Sequence, residues 1–293
     1  FSPIVRESYD FTCVLLTPSG DLLAQPFQSL PGFTRCASTV MKHFIKRWPD
    51  WHPEDVAMTN DPWLAAGHLN DVAIAVPVFY RGRIVAFAAN IAHQADIGGR
   101  GYSADGASIF EEGLALPPMK LYKAGKLVPE VMQIIAENVR LPDQVQGDIR
   151  AQIGAARLAA KRVCELLEES GLDDLDVIAK EVLARSESAM RSALRRVRNG
   201  VYTNVGTMDG FDEPLTIALK LTIKGDKLEF DFTGTSAQRD SNFNAPSAVT
   251  MAAVLYAAQS DQAFFNLSPS GRVSIGDDGS TRFEATSTGK HRY

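Results

Sequence analysis

Along residues 1–128 the apolar positions fall in short runs that end at turn-forming residues, which is the pattern of strands. Phe11 to Leu16 and Leu22 to Gln25 flank Thr17-Pro18-Ser19-Gly20-Asp21, a cluster that predicts a hairpin. Val40, Met41, Phe44, Ile45 and Trp48 then recur at three- and four-residue steps. They mark one face of a helix that Thr34 can cap and that Pro49 and Pro53 stop. Val56 to Thr59 reads as a short strand. Val72 to Phe79 and Arg83 to Ala92 read as two more, joined by Tyr80-Arg81-Gly82 as a three-residue loop with glycine at its left-handed position. The stretch 97–113 is glycine-rich and irregular.

Beyond Pro129 the period changes. Ile149, Ile153, Ala156, Ala160, Val163 and Leu167 line one face of a long helix that Gly171 ends. A second helix from about Asp173 starts acidic and finishes basic at Arg195 to Arg198, as the helix dipole favours. With a short turn between them, the two are expected to form a helical hairpin. Strand character returns at Val201 to Val205, Leu215 to Ile223 and Lys227 to Phe232 pair around Gly225-Asp226, and a last helix covers roughly Ala245 to Ala258. Strands and helices in separate blocks predict an α+β fold with an antiparallel β-rich N-terminal part, a long helical hairpin and a second β-hairpin region. The expected divisions are 1–128, 129–200, 201–258 and a Ser/Gly/Thr-rich tail, 259–293.

Composition narrows the function classes. At 45% hydrophobic and 22% charged, the 293 residues are ordinary for a globular protein with a full core. A formal net charge of −5 argues against a nucleic-acid or membrane-surface partner. The longest apolar run, Val72 to Tyr80, holds Pro77 and is about half of the ~18 residues a spanning helix needs. The opening residues lack a secretory signal, and Cys13, Cys36 and Cys164 make no disulfide framework, so a reduced, cytoplasmic setting is expected. The start at Phe1, with no Met, reads as a fragment.

Of the five histidines, His43 reads as a helix-surface residue, His52 as a loop residue before Pro53, and His291 as part of the tail. His68 and His93 differ. Ala66-Gly67-His68-Leu69-Asn70-Asp71 sets a His and an Asp three apart at the mouth of one strand, and His93 follows the end of its partner. With the three-residue loop, Leu69 faces His93 and Asp71 faces Ile91, so Asp71 and His93 become diagonal neighbours on one face. His68 joins them if the chain turns at Gly67 or Asn70, and Pro77 can shift the register through a bulge. Two imidazoles and a carboxylate suit a divalent first-row metal; the plainer reading is a set of capping or turn residues that happen to lie close.

Other signals are weaker. Gly99-Arg100-Gly101-Tyr102-Ser103-Ala104 has dinucleotide-loop spacing, but Pro117-Pro118 and more glycine follow in place of a helix, which favours loop geometry. The chain holds neither a phosphate-binding G-x-x-x-x-G-K-[ST] string nor a G-x-S-x-G elbow. Cys13 reads as a buried, inert thiol, and Glu111-Glu112 as a solvated turn in preference to an acid/base pair.

The strings SPIVRESYDFTC, NDPWLAAGHLNDVAIAVPVF, ANIAHQADIGGRGYSADGASIFEEGLALPPMKL, GDIRAQIGAARLAAKRV and DFTGTSAQRDSNFNAP resemble, in order, the hydantoinase B/oxoprolinase family. The resemblance implies a divalent metal, Mn, Fe or Zn, on Asp10, His68, Asp71 and His93, with His68, Asp71 and His93 as the catalytic set and Asp96 holding an imidazole tautomer. It also implies a division of labour within a hetero-oligomer. A hydantoinase A-type subunit would use ATP to phosphorylate the amide oxygen of a hydantoin, 5-oxoproline or similar ring. The present subunit would then hydrolyse the activated ring with metal-activated water, and the missing phosphate motifs fit that division. Alternatives are a carboxylase-type subunit resembling the acetone carboxylase alpha chain, a non-catalytic scaffold that holds the partner, and an incomplete gene product. Ala66-Gly67, Asn70 and Gln94 depart from the family's usual Gly-Thr, Pro and His, which bears on ligand tuning and substrate choice. The resemblance fades from about Gln259, so the chain is expected to lack the family's C-terminal half.

Overall fold

The computed structural model describes residues 1–26, 29–101, 103, 105–241, 244–259, 272–275 and 281–284. In chain order the elements are α1 (Pro3–Arg6), β1 (Phe11–Leu16), β2 (Leu22–Ala24), α2 (Pro31–Arg47), β3 (Val56–Thr59), β4 (Asp71–Tyr80) and β5 (Arg83–His93). They continue with α3 (Ile109–Glu112), β6 (Met119–Lys123), β7 (Lys126–Leu127), α4 (Pro129–Asn138), α5 (Pro142–Ser170), α6 (Asp176–Leu194) and β8 (Gly200–Met208). The last are β9 (Leu215–Lys224), β10 (Lys227–Asp231), α7 (Ser247–Gln259), β11 (Arg272–Ile275) and β12 (Thr281–Glu284). The fold is α+β, and every pair of neighbouring strands runs antiparallel.

Two compact units divide the chain: Phe1–Ala179 with Arg239–Val254, and Lys180–Gln238 with Leu255–Tyr293. The first is built on a seven-stranded sheet of order β2-β1-β5-β4-β3-β6-β7. Its central strands, β4 and β5, are buried on both faces, which is why they read as continuous apolar runs without alternation. On one face Val14, Ala73, Ala75, Phe87 and Ile91 pack with Cys36, Ala37, Val40, Met41 and Phe44 of α2. On the other, Val56, Met58, Val72, Ile74, Val76 and Ala88 meet Val145, Ile149, Ile153 and Ala156 of α5. Each fully buried large aliphatic contributes about 1.5–3 kcal/mol, so the α2 and α5 faces anchor the sheet from both sides.

The helices begin and end for local reasons. Pro31 and Pro142 stand in the first turns of α2 and α5, where a missing N–H costs nothing. Thr34, expected as the α2 cap, lies inside the helix, and its hydroxyl donates to the Leu30 carbonyl. Gly171 ends α5 in a left-handed conformation (φ +68°), with the Leu172 N–H returning to the Leu167 carbonyl.

The β4–β5 turn corrects the expected register. Arg81 and Gly82 (φ +49° and +80°) alone form the turn, a two-residue connection whose twist suits the strands, and Tyr80 pairs with Arg83. A bulge then follows: Phe79 pairs with Ile84 and Val78 with Ala86, leaving Val85 as the extra residue. The shift brings Asp71 directly opposite His93 in place of diagonal to it.

In the second unit, β8, β9 and β10 form successive antiparallel pairs, with the β9–β10 turn at Gly225-Asp226 as the sequence predicts. β12 adds to β10 and β11 to β12, two strands that the weakly patterned tail did not announce. Among the described residues no helix is long and apolar enough to cross a membrane.

Candidate metal centre

Asp71 opens β4 and His93 closes β5, so their pairing sets both side chains on the α2 face at one end of the hairpin. Beside them, β1 pairs with β5 so that Phe11 lies opposite Ala92, and the His93 N–H donates to the Asp10 carbonyl at 3.0 Å. This places Asp10 next to His93, at the end of a turn in which Tyr9 adopts φ +54°. His68 arrives by a tight turn: the Asp71 N–H reaches the His68 carbonyl at 3.4 Å. Gly67, just before it, has φ +102°, and a Cβ there would stand 2.6 Å from Val249 Cγ2.

The carboxylate of Asp71 lies between the two imidazoles. Oδ2 is 3.0 Å from His68 Nε2 and Oδ1 is 3.1 Å from His93 Nδ1. The ring centroids are 5.0 Å apart. Asp10 Oδ2 stands 3.7 Å from His93 Nδ1. The Asp71 side chain is 1% exposed, the two histidines about a fifth and Asp10 34%, so the cluster opens to solvent on the Asp10 side. Burial pushes the Asp71 carboxyl up, but hydrogen bonds from His68 and His93 and their charges outweigh it and hold the group below the ordinary carboxylate range. Burial pushes His68 down, yet Asp71, Glu112 and Asp10 together raise it. Asp10 is raised, chiefly by burial, with the like charge of Asp71 adding to it and the two histidines opposing.

The Asp71 carboxylate and the His68 and His93 imidazoles can each direct one donor atom to a common point, with all three atoms within 4.8 Å of one another. Bonds of about 2.0–2.2 Å to a divalent ion hold donors about 3–4 Å apart, within reach of this cluster by small side-chain adjustment. Two neutral-donor imidazoles with one buried carboxylate, and a second carboxylate alongside, fit a first-row divalent ion.

The turn carrying His68 is held from outside itself. The Leu69 N–H donates to Glu112 Oε1 at 2.9 Å, and the Leu69 carbonyl accepts from Asn60 Nδ2 at 2.7 Å. Asn60 Nδ2 also donates to the Leu114 carbonyl at 2.9 Å, and its Oδ1 accepts from the Leu116 N–H at 2.6 Å. Both side chains are buried.

Asp10, His68, Asp71 and His93 thus come together, while Asp96 does not join them. Its oxygens accept from Gly98 N–H and from the backbone and guanidinium of Arg140, so it clamps the glycine-rich loop and, among the described residues, holds no imidazole. Within that loop a Cβ on Gly99 would meet the Glu111 and Glu112 carbonyls at 2.6 Å, the loop-geometry reading; Tyr102, Ala104 and His291 lie outside the described residues. Cys13 sits in β1, its thiol pushed up by burial. Glu111 is at the surface with Arg100, but Glu112 is buried, which corrects the solvated-turn reading for that residue. Neither Glu112 nor Asn60 carries a sequence signal of this role, because an acid beside a glycine and an Asn-Asp-Pro string look like turns.

The family model described as hydantoinase B/oxoprolinase matches residues 1–263. A protein from Pseudomonas sp., provisionally named as the B-type chain of a D-/L-hydantoinase, is 34% identical over 275 residues, 87% of this chain and 46% of its own length. The 5-oxoprolinase 1 of Arabidopsis thaliana is 34% identical over 282 residues, 86% of this chain and 22% of that protein. The crystal structure of the ATP-dependent caprolactamase from Pseudomonas jessenii superposes with a TM-score of 0.78 at 26% identity, covering 84% of this chain and 44% of that one. The chain therefore spans less than half the length of these relatives.

Proposed function

This chain belongs to the hydantoinase B/oxoprolinase family, and on that premise we propose that it carries the ring-opening site of a metal-dependent, ATP-dependent cyclic-amide hydrolase. The observation that carries the reading is the convergence of His68, Asp71 and His93, with Asp10 at their open side. The substrate class follows from the relatives, whose names point to hydantoins, 5-oxoproline and caprolactam, all cyclic amides.

His68, Asp71 and His93, with Asp10, would hold the divalent ion, Mn, Fe or Zn. When bound, it would supply Lewis acidity toward the amide oxygen and lower the pKa of water in the site. In the metal-free chain each Asp71 carboxylate oxygen stands beside one imidazole nitrogen, so a single buried residue gathers both rings where the ion would sit. Asp10, the most exposed of the four, stands where substrate and water enter and can hold a proton at Oδ2. An unactivated amide resists water; phosphorylation of its oxygen turns that oxygen into a leaving group. That step is assigned to an A-type, ATP-using partner, in keeping with one relative named as a single component of a hydantoinase and another named as ATP-dependent. Operation in the cytoplasm, where ATP is supplied and three free cysteines stay reduced, belongs to the same reading.

Elemental analysis of the purified chain and of a His68→Ala/His93→Ala variant tests the site. Near-stoichiometric Mn, Fe or Zn, lost in the variant, is expected. A well-folded chain without metal would sink the hydrolase reading and leave a scaffold role.

A further inference from the structure

A carboxylate is costly to bury and is kept where something uses it. Glu112 is 7% exposed, and the only hydrogen bond its side chain makes among the described residues is the one it accepts from the Leu69 N–H. Leu69 is itself fully buried and stands between His68 and Asp71, the two donors that arrive on one short turn. The other end of the same residue, its carbonyl, is held by Asn60, which is also bonded to both Leu114 and Leu116. The 112–116 segment is in turn tied to the loop after β5, because the Leu114 N–H donates to the Ile97 carbonyl at 2.7 Å. The residue between the two donors is thus gripped at both its polar groups by buried side chains from elsewhere in the chain. A turn of four residues has no ladder of its own to hold its place; here it is set by these two bonds on Leu69 together with the neighbouring Asn70, whose carbonyl accepts from the Gln94 N–H at 2.8 Å and whose Nδ2 donates to the Gln94 carbonyl at 3.1 Å.

We propose that Glu112 is a positioning residue of the metal centre: by accepting the Leu69 N–H it sets the turn that presents His68 to Asp71 and His93. The inference rests on the metal reading above and adds a buried side chain that, with Asn60 and the Asn70–Gln94 pair, holds the turn in place before any ion arrives. What matters is reach and an acceptor oxygen, and two conservative variants separate these from charge. Glu112→Gln keeps an oxygen at the same reach and removes the charge. Glu112→Asp keeps the charge and falls one carbon short of Leu69.

The test measures Zn2+ affinity by chelator competition, and hydrogen exchange of the Leu69 amide in the metal-free chain, for the wild type and both variants. Glu112→Gln is expected to bind within about threefold of wild type, and Glu112→Asp about 10–100-fold more weakly, the usual cost of losing a group that orients a ligand. Leu69 exchange is expected to accelerate in Glu112→Asp alone. Wild-type affinity in Glu112→Asp, or equal loss in both variants, would overturn the proposal. If the wild type binds no Zn2+, the metal reading fails, and the exchange rates still decide whether Glu112 holds the turn: unchanged exchange in Glu112→Asp would refute it.

Discussion

Gly67 shows how little freedom the centre has at the scale of one residue. Its φ of +102° is a conformation that side chains resist, and the nearest neighbour of an added Cβ is a stiff, β-branched methyl, Val249 Cγ2, at 2.6 Å. Gly67→Ala is expected to cost about 1–3 kcal/mol and to lower metal occupancy as His68 is displaced. Urea titration with metal analysis on the same samples checks both, and an unchanged urea midpoint would contradict the strain. At this scale the sequence was informative about which side chains converge and silent about what supports them. His68, Asp71 and His93 stood out because histidines are few and two of them flank one hairpin. Asn60 and Glu112 did not, because a side chain that grips a distant peptide group leaves no local pattern. Asp96 shows the converse: its place three residues beyond His93 invited a role beside an imidazole, but its oxygens are taken up by Gly98 and by Arg140, far along the chain.

Between elements, Asp55 ties the approach to β3 to the β6–β7 hairpin. The buried carboxylate accepts from the His52 and Ala124 N–H groups and from Lys120 Nζ at 2.6 Å, and Lys120 also lies over the Trp48 and Trp51 rings. Burial pushes its carboxyl up, but these donors outweigh that and hold it below the ordinary range. A lowered folded-state pKa means that the stabilisation is complete above the unfolded value of about 3.9 and fades as pH falls through the folded value. Asp55→Asn is expected to cost about 1–3 kcal/mol at pH 7, because its amide nitrogen must face a donor. The gap between variant and wild type should begin to narrow as pH falls below about 4; urea titrations at pH 7 and pH 3 test this, and a gap of equal size at both would reject it. The hairpin register belongs to this scale too. Its existence was legible from apolar runs around Arg81-Gly82, but the extra residue at Val85 was not, since a bulge is chosen by packing on two faces at once.

For the whole molecule, the family reading predicts a division of labour that mixing can test. Mixed with an A-type subunit, the protein is expected to form a hetero-oligomer whose ATP-dependent ring opening is abolished by His93→Ala while assembly persists. Assembly with turnover untouched by that substitution would point to a scaffold. What the sequence determined by itself was the α+β class, the longer helices and most strands, and the family. Those properties reside in local periodicity, in turn chemistry, and in strings long enough to mark a family. Tertiary structure alone decided that Asp71 stands directly opposite His93, that the Asp10 carbonyl takes the His93 N–H where β1 meets β5, and that buried Glu112 and Asn60 hold the turn between His68 and Asp71. Each of those depends on a contact between residues far apart in the chain, made only when the sheet closes and water leaves, and so none of them is written in any one segment.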